Sequence, residues 1–255
     1  MTVIAIVSAK GGVGKTTLAA NLSVALRGDR HNVLSLDLDP QNALRLHFGI
    51  SPNYNNGLAV ASISKKSWLR TIVQGESGGA ILPYGLVNED QRQAFEKILQ
   101  DNPGYLLREI NKLNLSDDAL VLLDVPPGPS VYMKEALLAA NVVVVVMLAD
   151  AASYATLTMM MGLIEKYCSA RPSFIDYMYI INQIDRSREL ASDIVDVMRA
   201  QVSNKAIAVV HQDQAIPEAL ACCQDVLSYE PQSRGAHDMT ETAMLIEQIL
   251  DNAKG

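Results

Sequence analysis

Residues 9 to 17, AKGGVGKTT, constrain the fold more than any other stretch, because three glycines and two lysines follow directly on an apolar run. That run, Val3-Ile4-Ala5-Ile6-Val7, is short, β-branched and uncharged, as a strand buried on both faces of a parallel sheet must be. Gly11, Gly12 and Gly14 let the backbone turn tightly enough to aim successive N–H groups at phosphate oxygens. A helix starting there turns its partial positive end to the same anion. In such a loop Lys15 neutralises β- and γ-phosphates, the Thr16 hydroxyl ligates Mg2+, and Lys10, Val13 and Thr17 complete the cradle. The strict pattern G-x-x-x-x-G-K-[ST] is not met: Ala9 stands in its first position, and Lys10 precedes the paired glycines.

Two acidic fragments follow at useful distances. The spacing predicts a helix from Thr17 to Leu26, with Leu18, Leu22, Ala25 and Leu26 on one face. A strand Val33-Leu34-Ser35-Leu36 then ends in Asp37-Leu38-Asp39-Pro40-Gln41. Alternate strand residues face one side, so both carboxylates can point at a bound nucleotide. A further apolar strand, Leu120-Val121-Leu122-Leu123, ends in Asp124-Val125-Pro126-Pro127-Gly128. Acidic strand ends also serve as plain caps and turns; these two gain meaning from the loop beside them.

The run K-G-G-V-G-K-T resembles the deviant P-loop of the MinD/ParA superfamily of ATPases, and the likeness covers nearly the whole chain. It implies an α/β fold, a doubly wound, mostly parallel sheet with helices on both faces in three layers, as one domain over residues 1–255. ATP and Mg2+ are the implied cofactors. The DxDPQ run is similar to the family's switch I, which makes Asp39 the residue that orients the attacking water and Asp37 an outer partner of the metal. Leu120 to Gly128 resembles the Walker B and switch II segment, with Asp124 holding Mg2+ through water and Pro-Pro-Gly sensing the γ-phosphate. Thr16, Asp37, Asp39 and Asp124 are thus the implied metal set, and Lys10, Lys15 and Asp39 the implied catalytic set. In the family the counterpart of Lys10 reaches across a dimer interface onto the partner's nucleotide. The resemblance therefore implies a homodimer with ATP sandwiched between its subunits, slow hydrolysis acting as a timer.

For the base, the expected strand Tyr177 to Ile181 ends in Asn182, and the resemblance implies that this amide reads the adenine edge. The strand Ile207 to Val210 ends in His211-Gln212-Asp213, where relatives commonly carry proline, so the chain departs from the pattern at His211. Two roles stay open for His211, stacking on the base or capping the next helix. Asp213 is expected to act more through its backbone than its carboxylate. The run Tyr229 to Gly235 is similar to a structural segment that ParA relatives carry before their last helix.

Within the superfamily, Asn42 to Phe48, Ile81 to Gly85, Ala149 to Tyr154 and His211 resemble the BcsQ family, MinD-like proteins encoded with bacterial cellulose synthases. This likeness implies a cytoplasmic factor that assembles or localises a membrane-embedded cellulose secretion machine through protein partners. A ParA-like partition ATPase and a nucleotide-locked scaffold that never turns over are the competing readings. The net charge of −7 with dispersed basic residues, Arg186 and Arg188 forming the only small late pair, argues against nonspecific nucleic-acid binding.

The chain is 49% hydrophobic and shows no linker, repeat or low-complexity tract that would divide it. The expected order is βαβ, a looser excursion from Ser51 to Asp118, then three strand and helix pairs, with Val142 to Val146 as the core strand. Leu137 to Ala149 is too short to cross ~30 Å of hydrocarbon, and no signal peptide opens the chain. Cys168, Cys222 and Cys223 lack metal-ligand spacing and are expected to be buried thiols. His31, His47 and His237 are expected to be solvated or capping. The last helix, Asp238 to Leu250, places Met239, Ala243, Ile246 and Leu250 in one stripe among acidic residues, so no direct lipid anchor is expected. Leu157, Met161 and Ile164 are spaced as a core face. Trp68, Lys65 and Lys66 are left open, as ordinary surface residues or part of a docking patch.

Overall fold

The computed structural model describes every residue except 29, 77–78, 186–188, 203–204 and 254–255, and the backbone alone for 189–193. Arg186 and Arg188 therefore lie outside the described residues. The first strand, β1 (Thr2–Val7), sits in the middle of the sheet, where an uncharged β-branched segment can bury both faces. Val3, Ala5 and Val7 pack into one helical layer, while Ile4 and Ile6 pack into the other. That alternation produces the three layers.

Around it stand β2 (Val33–Asp37), β3 (Val73–Gln74), β4 (Ala80–Leu82), β5 (Leu120–Asp124), β6 (Val142–Leu148), β7 (Asp176–Ile184) and β8 (Ile207–His211). The described residues form one eight-stranded sheet in the order β3-β4-β2-β5-β1-β6-β7-β8. Every pairing is parallel except β3 with β4 at one edge. The helices are α1 (Lys15–Ala25), α2 (Leu44–His47), α3 (Leu58–Ile63), α4 (Glu89–Asp101), α5 (Tyr105–Asn111), α6 (Val131–Ala139), α7 (Ala151–Ile164), α8 (Glu189–Gln201), α9 (Ala215–Ala221), α10 (Val226–Tyr229) and α11 (Arg234–Asn252). No helix among the described residues is long and apolar enough to cross a membrane.

Several expectations are corrected. Four strand and helix pairs follow the excursion, not three. The excursion itself carries α3, α4, α5 and the antiparallel edge. The strand expected at Tyr177 to Ile181 runs on through Ile184, because a bulge with Gln183 at φ 58° lets it continue, so Asn182 lies inside it. His211 likewise closes β8 instead of following it. On α7 Leu157 and Ile164 are buried as expected, Met161 packs partly buried against the same cluster, and Met160 is buried with them, since a 3.6-residue period also admits that spacing. Cys168 is buried, whereas Cys222 and Cys223 are exposed.

Neither His31 nor His47 is solvated. His31 bridges the Asp118 carbonyl and the Glu247 carboxylate, and burial pushes His47 down to about 4. Only His237 of these three is exposed. Trp68 is fully enclosed and donates its indole N–H to Ser62 Oγ at 2.9 Å. The predicted stripe of Met239, Ala243, Ile246 and Leu250 is buried against α1 and β8.

Candidate functional site

The parallel topology brings the carboxyl ends of β1, β2, β5 and β7 to one rim, and a loop after β1 must then turn back sharply into α1. Gly12 (φ 75°) and Gly14 (φ 86°) supply the two left-handed steps of that turn. Gly14 precedes the helix directly, and its carbonyl accepts the first helical hydrogen bond from Leu18 N–H at 2.9 Å. Asn182 reaches over from β7 and donates from Nδ2 to the Val13 carbonyl at 2.8 Å. A Cβ on residue 14 would stand 2.4 Å from that same amide. Asn182 thus braces the loop, and its amide N–H is spent on Val13.

Lys15, Thr16, Asp37, Asp39 and Asp124 meet behind the loop. Asp37 and Asp124 are register partners on neighbouring strands, and both are buried. Burial pushes the Asp37 carboxyl well above the usual range and the Asp124 charge adds to it. The N–H groups of Asp39 and Leu44 pull the other way, bonding its oxygens at 2.9 and 3.1 Å. Asp37 consequently shapes the turn that presents Asp39. Asp39 Oδ1 accepts the Gln41 N–H at 2.9 Å, leaving its side chain partly exposed at the rim.

Asp124 is different. Neither of its carboxylate oxygens meets the geometry of a hydrogen bond, although both are buried. Burial drives its pKa up to about 6, against the opposing influence of the nearby Thr16 hydroxyl and Lys15 ammonium, while Asp39 adds to the rise. Burial also lowers the Lys15 pKa, with Asp124 and Asp39 holding it up. Two buried carboxylates beside one ammonium lack positive charge, and a divalent cation fits that deficit. No cluster of three or more His, Cys, Asp or Glu among the described residues is arranged to hold a metal unaided. The oxygen donors of Thr16 and the nearby carboxylates suit Mg2+, which keeps waters and shares phosphate oxygens.

The segment after Asp124 folds back onto the loop. Gly128 at φ 76° donates to the Ser8 carbonyl at 2.9 Å, and Pro127 lies against Gly11. Lys10 extends the other way: its ammonium meets both oxygens of Asp150, at 3.0 and 3.2 Å, and Asp150 also caps α7 by accepting the Ser153 N–H.

Beside the loop, a pocket of ≈ 280 Å³ opens between β7, β8 and α9. Gly14, Thr17, Asn182, His211, Asp213 and Pro217 are among its walls. The His211 ring is fixed by Asp238, whose Oδ2 lies 2.8 Å from Nδ1 and also accepts the His211 backbone N–H. It does not cap α9. The Asp213 carboxylate, expected to matter less than its backbone, accepts the N–H of Ala215 and that of Gly235 at 2.9 and 2.7 Å, joining the starts of α9 and α11. Sequence reasoning missed Asp238, which sits 27 residues from His211 and carries no local signal. It also missed the apolar wall of Ile216, Pro217 and Leu220.

The family model described as "Cellulose biosynthesis protein BcsQ" matches residues 1–245. The chain belongs to the BcsQ family. It is 25% identical to the cellulose biosynthesis protein BcsQ of Salmonella typhimurium, covering 95% of this chain and 93% of that one. It is 27% identical to the chromosome partitioning protein ParA of Caulobacter vibrioides, over 92% and 90% of the two chains. Among solved structures, the septum site-determining protein MinD of Pyrococcus horikoshii complexed with Mg-ADP superposes with a TM-score of 0.79. It is 25% identical, over 98% of this chain and 97% of that one. The cell division ATPase MinD of Pyrococcus furiosus follows with 0.78 at 26%, over 97% and 99% of the two chains. The BcsQ-family chain therefore has the MinD-type P-loop fold, with its glycine-rich loop, switch-like turns and Asp124 gathered at one rim.

Proposed function

We propose that this protein is an ATP-dependent dimerising switch that serves a cellulose synthesis and secretion machine through protein partners. Its coarser character is a P-loop ATPase of the deviant MinD/ParA type, using ATP with Mg2+. The observation that carries the reading is Asp124: a buried carboxylate whose oxygens meet no hydrogen-bond geometry and whose nearby donors are Thr16 and Lys15 of the glycine-rich loop.

In this reading the backbone from Lys10 to Thr17 holds the phosphates, and Lys15 neutralises them. Thr16 ligates the metal, with Asp124, Asp37 and Asp39 around it. Mg2+, when bound, spreads the charge of the phosphate oxygens and lowers the barrier to their transfer. Asp39, placed by the Asp37 turn, orients the water. Asn182, His211 and Asp213 frame the base pocket, where His211 is held rigid by Asp238. Lys10 is the mobile charge. Released from Asp150, it is free to reach a second subunit's nucleotide, so that ATP joins two copies and hydrolysis parts them.

The cellulose role is supported by the family match and by the BcsQ relative. Sedimentation velocity with a non-hydrolysable ATP analogue and Mg2+ tests the switch: a dimer is expected for the natural chain and a monomer for Lys10→Ala. A capture experiment from the native cell with Asp39→Ala, held in its ATP state, tests the partner. Recovery of no cellulose-synthase component would overturn that half of the proposal. The ParA relative favours a DNA-positioning role as a second reading, and absence of ATP-dependent DNA binding at low salt removes it.

A further inference from the structure

A second pocket, of ≈ 460 Å³, shares no lining residue with the nucleotide rim and lies among α3, α4 and α5. Tyr105, partly exposed, is its aromatic wall, backed by the enclosed Trp68, whose ring meets it edge to face with centroids 6.3 Å apart. Lys65 and Lys66 are exposed at its mouth, and among the described residues neither has a carboxylate partner within salt-bridge distance. Lys65 is held there by a left-handed backbone, φ 52°, that ends α3. Lys112, also on the rim, is already paired with Glu109 at 2.6 Å. Two adjacent unpaired ammoniums are conspicuous on a chain whose net charge is −7.

We propose that this pocket docks an acidic segment of a protein partner, one apolar side chain entering against Tyr105, behind which Trp68 is packed, while flanking carboxylates meet Lys65 and Lys66. The chemistry favours carboxylate. Lysine binds phosphate as a point charge, and selective phosphate sites add arginine forks or runs of convergent backbone N–H groups, neither of which lines this rim. An aromatic floor with cationic edges is the arrangement of an anchor pocket with a charged rim.

The pocket is wired to the nucleotide site. The loop bearing Gly128 runs into α6 at Ser130, whose hydroxyl accepts the Met133 N–H. One turn on, the buried Glu135 carboxylate accepts the N–H of Gly104 at 2.9 Å and that of Leu106 at 3.2 Å, gripping the start of α5 on either side of Tyr105. A shift of α6 therefore moves a wall of the pocket, which makes docking sensitive to nucleotide. This coupling rests on the switch reading above; the docking itself does not.

Trp68 is the chain's single tryptophan, so its emission reports on this pocket alone. The full chain is titrated at low salt with the peptides EELEE and KKLKK. EELEE is expected to shift the emission saturably, and the double variant Lys65→Glu, Lys66→Glu to weaken that by about tenfold and to prefer KKLKK. Equal affinity of natural and reversed chains for EELEE overturns the docking site. In a second arm, a non-hydrolysable ATP analogue with Mg2+ is expected to change EELEE affinity in the natural chain but not in Glu135→Gln. Nucleotide that binds without moving that affinity overturns the wiring. A chain that bound no nucleotide would sink the switch reading, while the peptide arm would still decide the pocket. Unchanged thermal midpoints confirm that the surface variants fold.

Discussion

Lys10 and Asp150 are joined within one chain, 140 residues apart in sequence, by contacts at 3.0 and 3.2 Å. The lysine that the resemblance assigns to a second subunit is thus held by its own. A half-exposed ion pair contributes little, about 0.2–1 kcal/mol, so it can be exchanged for a phosphate contact without a large barrier. Asp150→Asn keeps an acceptor for the Ser153 N–H and removes the charge. It should shift the monomer–dimer balance toward dimer with an ATP analogue, by a few-fold in dissociation constant, read by sedimentation equilibrium. An unchanged constant would separate this pair from assembly.

Asp124 gives the apo protein a pH signature. Its folded pKa of about 6 is raised above the ordinary 3.8, so the folded state binds more protons than the unfolded one between those values. Stability is then fully present below the ordinary value and is lost as pH rises toward 6, by on the order of 2–3 kcal/mol. Buried Asp37 is shifted in the same direction. Urea melts from pH 4 to 7 should show this fall without ligand and its relief by Mg2+ with nucleotide. Asp124→Asn should make the fall shallower, leaving the part due to the burial of Asp37, and abolish the relief.

Gly14→Ala should remove nucleotide binding. The substitution meets a left-handed backbone at φ 86° and an amide nitrogen 2.4 Å away. The backbone term alone is about 1–2 kcal/mol, and the loop must distort to accept the methyl group. Isothermal titration with ADP and Mg2+ would measure the loss; binding at natural strength would contradict the geometry.

Asn182→Ala separates two roles. If the amide serves to hold Val13, its loss leaves a carbonyl unpartnered, costing about 1–3 kcal/mol, and the effect falls equally on ATP and on GTP binding. If the residue reads the base, ATP affinity should fall selectively. The bond to Val13 leads us to expect the equal loss, measured by competition between the two nucleotides.

Tyr84→Phe tests the support beneath the two switch-like turns. Tyr84 N–H donates to the Asn42 side chain at 3.1 Å, just beyond the Asp39 turn, while its hydroxyl meets that of Tyr132 on α6 at 2.7 Å. Removing the hydroxyl leaves Tyr132 with its Glu96 contact alone, for an expected loss of about 0.5–1.5 kcal/mol in urea unfolding. A neutral result would show that water replaces it.

The strand–loop–helix unit and both acidic turns could be read from the chain because each is local: a run of β-branched residues, glycines where φ must be positive, aspartates at strand ends. What escaped was decided across distance. The bulge at Gln183 has no composition cue, and it moved Asn182 from a strand end to a brace on the P-loop. Asp238 fixes His211 only because α11 packs on β8. Trp68 reads equally as a surface residue or part of a docking patch, yet it is enclosed in the core with its ring edge to face with Tyr105 of α5. That Met160 is more deeply buried than Met161 required knowing which way α7 turns.

The strand order has a consequence for synthesis on the ribosome. β1 is made first, but its two neighbours, β5 and β6, begin at residues 120 and 142. Until those segments emerge, a nascent chain holds an apolar strand with both edges bare, exposed to chaperones or to aggregation. Truncated products ending before Leu120 should accordingly be insoluble and unable to retain ligand, however intact their glycine loop.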